Sequence, residues 1–556
     1  MDIKKKLNEV PKKLIVKWLG IPYAILTVLV AGASYNLFAY FQQIGAAQGY
    51  GKGTMTLIKY TVLFGYYFGL GPGLIVKTMR PLFSFLVAAL QALIAFSTLG
   101  YIAEHGEGGT FTWIVMILML FIGAMSGSIA TIGAIVTSVK NFPRIAGMLI
   151  VVIMISYFKV APYFEFSVRS AFFTEVSLMW YFIGYGVVMA AVFFVAAFAI
   201  QNAHIDDAIE NVMKMMDRMA MLIFVAVEVM FLIGYFVASI ILEDWFVGAI
   251  LFLVFIVLNF IALVGAILII FQRVSALSPK DFMSGLAKDS FNEKLFLDYI
   301  KEIKYICLVI SSFLVIGITQ TYNFNIFQIA YALDAIDSAD AALDTFWMSD
   351  MWARIAGGLI AYFLVHQVNG YLFAALAGLM GALGFGVALL TEFVGPAALF
   401  ISSCQIGVSN GLMWVIAPMV VMEDAGPDNF GLNWGLVLLA NVLGMIAYGE
   451  FFDLWYEYIG EGETCMGLNC VILPFIIFGV LGLIGAGLAY NGFLNDDQKK
   501  EESKVPSLPT KGKKDKAEKG KGGKSKGKEK GGKGGEKSKS KGKSKGKSKG
   551  KSKKKA

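Results

Sequence analysis

The chain has 556 residues, of which 57% are hydrophobic, and its mean hydropathy is +0.67. These values exclude an ordinary soluble protein and favour a polytopic membrane protein, because crossing about 30 Å of hydrocarbon takes about 20 apolar residues per helix. The net charge of +8 is dominated by the C-terminus, where residues 511–556 hold 22 Lys against four acidic residues. The rest of the chain is net negative.

The apolar runs predict about 14 transmembrane spans in an all-α fold. In chain order we expect a basic N-terminus (1–17), a six-helix half (18–200), two additional helices (201–271), a linker (272–304), a second six-helix half (305–490) and a Lys/Gly/Ser-rich tail (491–556). The tail has too few apolar residues to fold. An even number of spans places both termini on one side. That side holds most of the basic loops, which predicts that both termini are cytoplasmic.

Two sequence features occur once in each half. The first is a hairpin whose glycines are 20 residues apart, Gly127 and Gly147 in one copy and Gly411 and Gly431 in the other. The second is a hydroxyl-Tyr-Asn triplet near the end of the first helix of each half. The two features keep nearly the same register, which indicates a duplicated architecture of the kind found in many secondary transporters.

Four motifs resemble those of the nodulin-like branch of the major facilitator superfamily. The stretch from Val136 to Gly147 is similar to the branch's Val-Lys-Asn-Phe-Pro signature, and Gly32–Phe41 resembles its opening Gly-x-x-Tyr-x-Phe pattern. Asp350–Gly358 is similar to a Trp-x-x-x-Gly-Arg-x-Gly-Gly stretch, with Ala353 where Gly is usual. Cys465–Cys470 resembles the family's Cys-x-Gly-x-x-Cys. The signature residues are Lys140, Asn141, Phe142, Pro143 and Gly147.

This resemblance covers roughly residues 20–490 and implies a major-facilitator-like fold, with two six-helix halves plus two extra helices. It also implies a carrier that works by alternating access. Two family features are missing: the acidic loop motif after the second span is reduced to Lys77–Arg80, and Met154-Ile155 replaces the Lys-Gly expected in the fifth span. The substrates of relatives therefore cannot be assigned to this chain on the resemblance alone.

The first helix of each half ordinarily lines the cavity of such a carrier. We therefore nominate as substrate-binding residues Tyr35, Asn36, Tyr40, Tyr322, Asn323 and Asn325. Their amides and phenols can hydrogen-bond a small polar ligand. The alternatives are that they pair with one another, or that Tyr40 belongs to an interfacial aromatic belt.

Charged residues inside membrane helices are costly and therefore suggest function. Glu228 is a candidate for proton coupling, with packing against a polar neighbour as the alternative. Arg354 either neutralises an anionic substrate or, near a cytoplasmic helix end, forms a gating or structural pair. Lys159 is a third candidate, and its alternative is snorkelling to the interface. Cys465 and Cys470 lie in a predicted extracytoplasmic loop, where a short disulfide is expected and free thiols are the alternative.

No enzymatic motif, cofactor site or metal-ligand spacing is present in the sequence, so we expect neither an enzyme nor an ATP-driven pump. The sequence predicts a monomeric carrier of a small polar solute, with a monocarboxylate or similar organic anion as the leading substrate. A non-transporting sensor or scaffold and a channel are the alternatives. The tail either contacts anionic lipid or is simply solvated. Nucleic acid is disfavoured because no aromatic residues interleave the lysines.

Overall fold

The computed structural model describes residues 3–106, 109–143, 145–203, 207–236, 294–364, 369–461 and 464–504, with isolated positions between 250 and 268. The described residues are helical and contain no strand. The first half comprises α1 (Ile3–Gly32), a 3₁₀ turn (Ala33–Asn36), α2 (Leu37–Ala47), α3 (Lys52–Tyr67), α4 (Leu70–Thr78), α5 (Pro81–His105), α6 (Thr110–Asn141), α7 (Ile145–Phe172) and α8 (Leu178–Ala199). It is followed by α9 (Asp207–Phe236).

The second half begins after a short helix, α10 (Phe296–Tyr299). It comprises α11 (Ile303–Phe324), α12 (Ile326–Ala332), a 3₁₀ turn (Ile336–Ser338), α13 (Ala339–Trp352), a π-helical turn (Ala353–Gly357), α14 (Gly358–Leu364), α15 (Gly370–Ala388), α16 (Thr391–Val394), α17 (Pro396–Ala425), α18 (Phe430–Ile459), a 3₁₀ turn (Leu468–Cys470) and α19 (Ile472–Lys504). Gly395, with a φ of 85°, turns the chain into α17, and Pro396 takes a first-turn position where the missing N–H costs nothing.

Ten helices among the described residues are long and apolar enough to cross a membrane. Two further expected spans are interrupted helices: the second breaks between α3 and α4, and the tenth contains the π-helical turn 353–357. The all-α membrane fold is thus confirmed. One of the two additional helices corresponds to α9, while most of the other expected span, 245–271, lies outside the described residues, so the count of 14 stays a prediction.

Two expected boundaries differ from the structure. Residues 491–504 were assigned to the tail but continue α19, where the buried Asp496 accepts a hydrogen bond from Lys304 at 2.6 Å. Lys304 was assigned to the linker, yet it is buried and also pairs with Asp424 at 2.6 Å. These ion pairs hold the ends of three helices of the second half together. The tail beyond residue 504 lies outside the described residues.

The two repeated hairpins pack against each other across the two halves. Lys140 of the first pairs with Asp428 of the second, with Nζ and Oδ1 3.2 Å apart. A Cβ added to Gly147 would meet Met422, and one added to Gly431 would meet Val136. We call this end of the molecule the Lys140 face, and the opposite end, which carries Cys465 and Cys470, the disulfide face.

Two glycine pairs allow α4 and α18 to approach closely at the Lys140 face. Gly69 and Gly73 lie one turn apart on one chain segment, and Gly431 and Gly435 do so on the other. A Cβ on Gly73 would overlap the carbonyl of Gly431, and one on Gly435 would overlap the carbonyl of Gly69. Small residues at this spacing let membrane helices pack backbone to backbone. The contact closes one end of the boundary between the halves.

We expect Gly435→Val to open the Lys140 face, because the added side chain has no room beside Gly69. The measurement is oxidative cross-linking of the Lys77→Cys/Asn429→Cys pair, whose native side chains are joined by a 2.8 Å hydrogen bond. Cross-linking should be efficient in the parent and reduced by Gly435→Val. Gly487→Val is the matched control, since a Cβ there meets open space. Equal cross-linking in all three proteins would show that the glycine contact does not hold the face closed.

Candidate functional site

A buried group of three charges bridges the two halves. Lys159 lies on α7 of the first half, and Asp350 and Arg354 lie one turn apart in the tenth expected span, which belongs to the second half. The Lys159 Nζ is 2.7 Å from Asp350 Oδ2, while Arg354 donates from Nε to Oδ1 at 2.9 Å and from Nη2 to Oδ2 at 3.2 Å. Arg354 Nη1 also donates to the carbonyl of Ile155 at 3.3 Å. We call these three residues the charge triad.

The triad carries one more positive than negative charge. Asp350 and Arg354 are almost fully buried, and Lys159 keeps only 12% of its side chain exposed. A buried carboxylate between two cations is satisfied, but the second cation has no matching anion within the group. Because uncompensated charge is expensive in a membrane interior, this site favours a bound anion.

Aromatic rings enclose the triad. Lys159 lies 4.2 Å from the ring centre of Trp347, and the guanidinium carbon of Arg354 lies 5.4 Å from that of Trp414. These cation–π contacts orient both cations without neutralising them. Two rings of the second half therefore hold the charges in place while leaving their net charge unchanged.

A small cavity lies beside the triad, with a volume of about 20 Å³. That is room for a single water molecule, so the site is closed in this conformation. Both halves contribute to its wall, which is formed by Tyr35, Tyr66, Tyr67, Phe158, Lys159, Pro162, Gln320, Trp347 and Arg354. Within the described part of the chain, the buried hydroxyl of Tyr66 finds no hydrogen-bond partner. An unsatisfied buried donor in the wall of a cavity is available to a polar ligand.

A second buried carboxylate, Glu165, lies farther along α7. It accepts hydrogen bonds from Asn36 Nδ2 at 2.6 Å, from the Tyr40 hydroxyl at 3.0 Å and from the Tyr181 hydroxyl. Asn36 also donates to the carbonyl of Pro162 at 2.7 Å. Arg169 stacks on the rings of Tyr40 and Tyr181, 4.5 and 5.2 Å from their centres.

Two family sequence patterns match this chain almost end to end. The pattern described as Nodulin-like matches residues 17–271, and the one described as NFD4, C-terminal domain, matches residues 290–497. The chain belongs to the nodulin-like family. The two patterns meet in the expected linker between the halves.

Curated relatives of this nodulin-like chain include proteins described as transporters. It is 27% identical over 190 residues to "Probable transporter MCH1" of Wickerhamomyces anomalus, 33% of this chain and 37% of that protein. It is 31% identical over 90 residues to the protein of the same name in Yarrowia lipolytica, 15% of this chain and 17% of that protein. "Protein NUCLEAR FUSION DEFECTIVE 4" of Arabidopsis thaliana is 24% identical over 120 residues, 18% and 21% of the two chains. The chain thus spans well under half of each relative's length.

Solved structures of similar shape include two symporters. One is the proton:xylose symporter XylE, with a TM-score of 0.48, 12% identity and coverage of 88% of this chain and 96% of that chain. Another is the fucose:proton symporter FucP of E. coli, with a TM-score of 0.44, 13% identity and coverage of 85% of this chain and 98% of that chain.

The structure divides the six nominated substrate-binding residues of the nodulin-like chain into four groups. Tyr35 lines the cavity. Asn323 lies behind the cavity wall and contacts two residues that form it. Its Oδ1 accepts a hydrogen bond from Trp347 Nε1 at 2.6 Å, and its Nδ2 donates to Gln320 at 3.4 Å. Asn36 and Tyr40 hold Glu165 instead of lining the cavity.

The remaining two residues lie away from the cavity. Tyr322 is buried in the second half, where its hydroxyl is 3.0 and 2.9 Å from the hydroxyls of Ser402 and Ser403. Asn325 donates to the carbonyl of Thr321 at 3.0 Å at the end of its own helix. Both side chains make hydrogen bonds within the second half, and neither lines the cavity.

The structure also locates the charged candidates. Arg354 lies in the π-helical turn in the interior of its span, so the expectation of a position near a helix end is wrong. Lys159 is paired with Asp350 and does not snorkel to the interface. Glu228 lies in α9, but its side chain is outside what the structure describes. Cys465 and Cys470 are joined in a disulfide, with Cα atoms 5.9 Å apart.

The family signature forms a structural junction at the Lys140 face. Asn141 donates to the carbonyl of Gln201 at 2.9 Å and accepts from the N–H of Ala203 at 2.9 Å, which ties α6 to the segment after α8. Phe142 packs on Trp18 with ring centres 5.0 Å apart. Pro143 follows in the turn, so these residues shape the hairpin and do not line the cavity.

Two central residues of the site were not singled out from the sequence. Asp350 was part of a motif, and its four-residue spacing from Arg354 places both on one helix face, which is a detectable signal. Glu165 lies in an otherwise apolar stretch of α7, six residues after Lys159. Charged residues are costly inside membrane helices, and this criterion, which selects Lys159 and Arg354, selects Glu165 as well.

Proposed function

We propose that this chain transports a small organic anion across a membrane by alternating access, with Lys159 and Arg354 as the anion-binding residues. The observation that supports the proposal is the net positive charge triad at the contact between the halves. A single anion balances the triad, whereas a dianion leaves an excess negative charge in the membrane interior. The proposal therefore favours a monocarboxylate.

Alternating access follows from the position of the triad. Lys159 belongs to one half and Asp350 and Arg354 to the other, so the pairs between them change whenever the halves move apart. In this conformation the cavity has room for only one water molecule. The carboxylate of the substrate replaces the carboxylate of Asp350 as the ion-pair partner of Lys159. Binding and rearrangement of the halves are then coupled, as alternating access needs.

The test is exchange of labelled anions by purified protein in liposomes loaded with unlabelled substrate. The panel contains acetate, lactate and pyruvate as monoanions, succinate as a dianion and glycerol as a neutral solute. We expect saturable exchange of at least one monoanion and little exchange of succinate or glycerol. Preferential exchange of a dianion or a neutral solute would contradict the anion assignment. Unsaturable flux would favour a channel, and the absence of any flux would favour a sensor or scaffold.

A further inference from the structure

Glu165 has no role in anion binding, although burying it is costly. It is only 4% exposed and lies about 9 Å beyond Lys159 along α7, by the rise of an α-helix. Among the described residues, none forms an ion pair with it. The nearest cation on its own helix, Arg169, stacks on two phenol rings instead. Glu165 receives its hydrogen bonds from neutral donors and has Arg169 nearby, whereas Asp350 is paired directly with two cations.

The hydrogen-bond partners of Glu165 are compatible with either protonation state. A phenol hydroxyl can donate or accept, so Tyr40 and Tyr181 can donate to a carboxylate or accept from a carboxylic acid. Asn36 donates to one oxygen in both states. The partners of Asp350, an ammonium and a guanidinium, can only donate. A protonated Asp350 would find no acceptor for its O–H among these partners. A protonated Glu165 can donate its O–H to one of the two phenol oxygens and keep the same number of hydrogen bonds.

The groups that face Glu165 come from three elements. They are Arg169 of α7, Asn36 and Tyr40 of the broken first span, and Tyr181 and Tyr185 of α8, where the Tyr185 hydroxyl donates to the Val30 carbonyl at 2.7 Å. Arg169 and Tyr40, which contact this group, are themselves only half-buried. Proton exchange at Glu165 requires that protons reach it past these two side chains.

A change at Glu165 is transmitted to the cavity through one side chain. Asn36 bonds both Glu165 and the carbonyl of Pro162, and Pro162 lines the cavity. Tyr35, the residue before Asn36, lines it too. Asn36 also ends the 3₁₀ turn that interrupts the first span. Protonation would weaken the Asn36–Glu165 bond, because a charged acceptor makes the stronger hydrogen bond.

We infer that Glu165 is the proton-binding site of this transporter, and that a proton moves together with the anion. This inference rests on the proposed anion transport. The carboxylate takes a proton from water on one side of the membrane and gives it back to water on the other side after the halves have rearranged. One proton and one monoanion move per cycle, so the cycle is electrically neutral.

The first arm of the test measures transport in liposomes. In Glu165→Gln, uptake driven by a pH gradient should fall by about tenfold or more, because the site that carries the proton is gone. Exchange at equal pH should persist, because it needs no net proton movement. Glu392→Gln, which changes an exposed carboxyl group on α16, is the matched control. Gradient-driven uptake that survives Glu165→Gln overturns the inference.

The second arm is independent of any substrate. Infrared difference spectra of the purified protein, recorded during a pH titration, should show the C=O stretch of a protonated carboxylic acid in the parent and in Glu392→Gln. The band of a buried acid should be missing in Glu165→Gln. If it persists there, the assignment is wrong whatever the transport assay shows. If the band is lost but no anion is exchanged by the parent, Glu165 binds a proton and the proposed anion function fails instead.

Discussion

Asp350→Asn should be the most destabilising single substitution in the charge triad. Asp350 is fully buried and is the only anion between Lys159 and Arg354 in that group. Asparagine would leave the two cations next to each other in the interior. Its amide N–H₂ would also face the N–H groups of Lys159 and Arg354, which are donors themselves. Breaking a buried ion pair by removing one partner costs about 3–5 kcal/mol. Thermal unfolding in detergent should show a clear fall in Tm.

Asp428→Asn is the matched control for this substitution. It also removes a carboxylate from an ion pair with a lysine of the other half, Lys140, but the side chain of Asp428 is 70% exposed. Exposed pairs contribute about 0–1 kcal/mol, so its Tm should stay near that of the parent. Equal Tm changes in the two variants would show that burial does not govern the strength of the triad.

Removing one cation should rescue part of the loss. In the double variant Asp350→Asn/Lys159→Met, the triad keeps a single cation and the repulsion between the two disappears. The double variant should therefore be more stable than the sum of the two single changes predicts. Strict additivity would indicate that Lys159 and Asp350 do not interact, because only coupled neighbours deviate from it.

Much of the fold follows from the sequence because membrane helices need long apolar segments and paired backbone groups. The expected spans agree with the described helices where the apolar run is unbroken, as in α5 and α8. The sequence does not predict the breaks in the second and tenth spans. Composition does not reveal a π-helical turn such as 353–357, because the turn contains no proline and its residues other than Arg354 are small or apolar like their neighbours.

The candidate site was only partly predictable. The cost of intramembrane charge identifies Lys159 and Arg354, but their shared partner Asp350 is 191 residues from Lys159, and only the packing of the halves brings them together. The repeated Tyr-Asn pairs mark corresponding backbone positions. Their surroundings differ, because Ser402 and Ser403 take up the hydroxyl of Tyr322, whereas Tyr35 faces the cavity. A repeat therefore predicts register and not side-chain environment.

Arg354→Lys should impair anion exchange strongly even though it keeps the positive charge. Arg354 makes two hydrogen bonds to the carboxylate of Asp350 and one to the carbonyl of Ile155. An ammonium is a point charge and lacks the planar fork that makes these contacts together. Loss of one hydrogen bond to a charged group costs about 1.5–3 kcal/mol, which corresponds to roughly 10–100-fold in kcat/KM for exchange.

The measurement is the concentration dependence of monoanion exchange in liposomes, with Arg80→Lys as the matched control. Arg80 lies exposed between α4 and α5, so the same substitution there should leave kcat/KM unchanged. A large loss in Arg354→Lys with Tm close to that of the parent places Arg354 in anion binding, since a purely structural role would lower both quantities. Exchange equal to that of the parent would show that charge alone is needed at residue 354. The guanidinium geometry that joins the two halves would then have no part in selecting the anion.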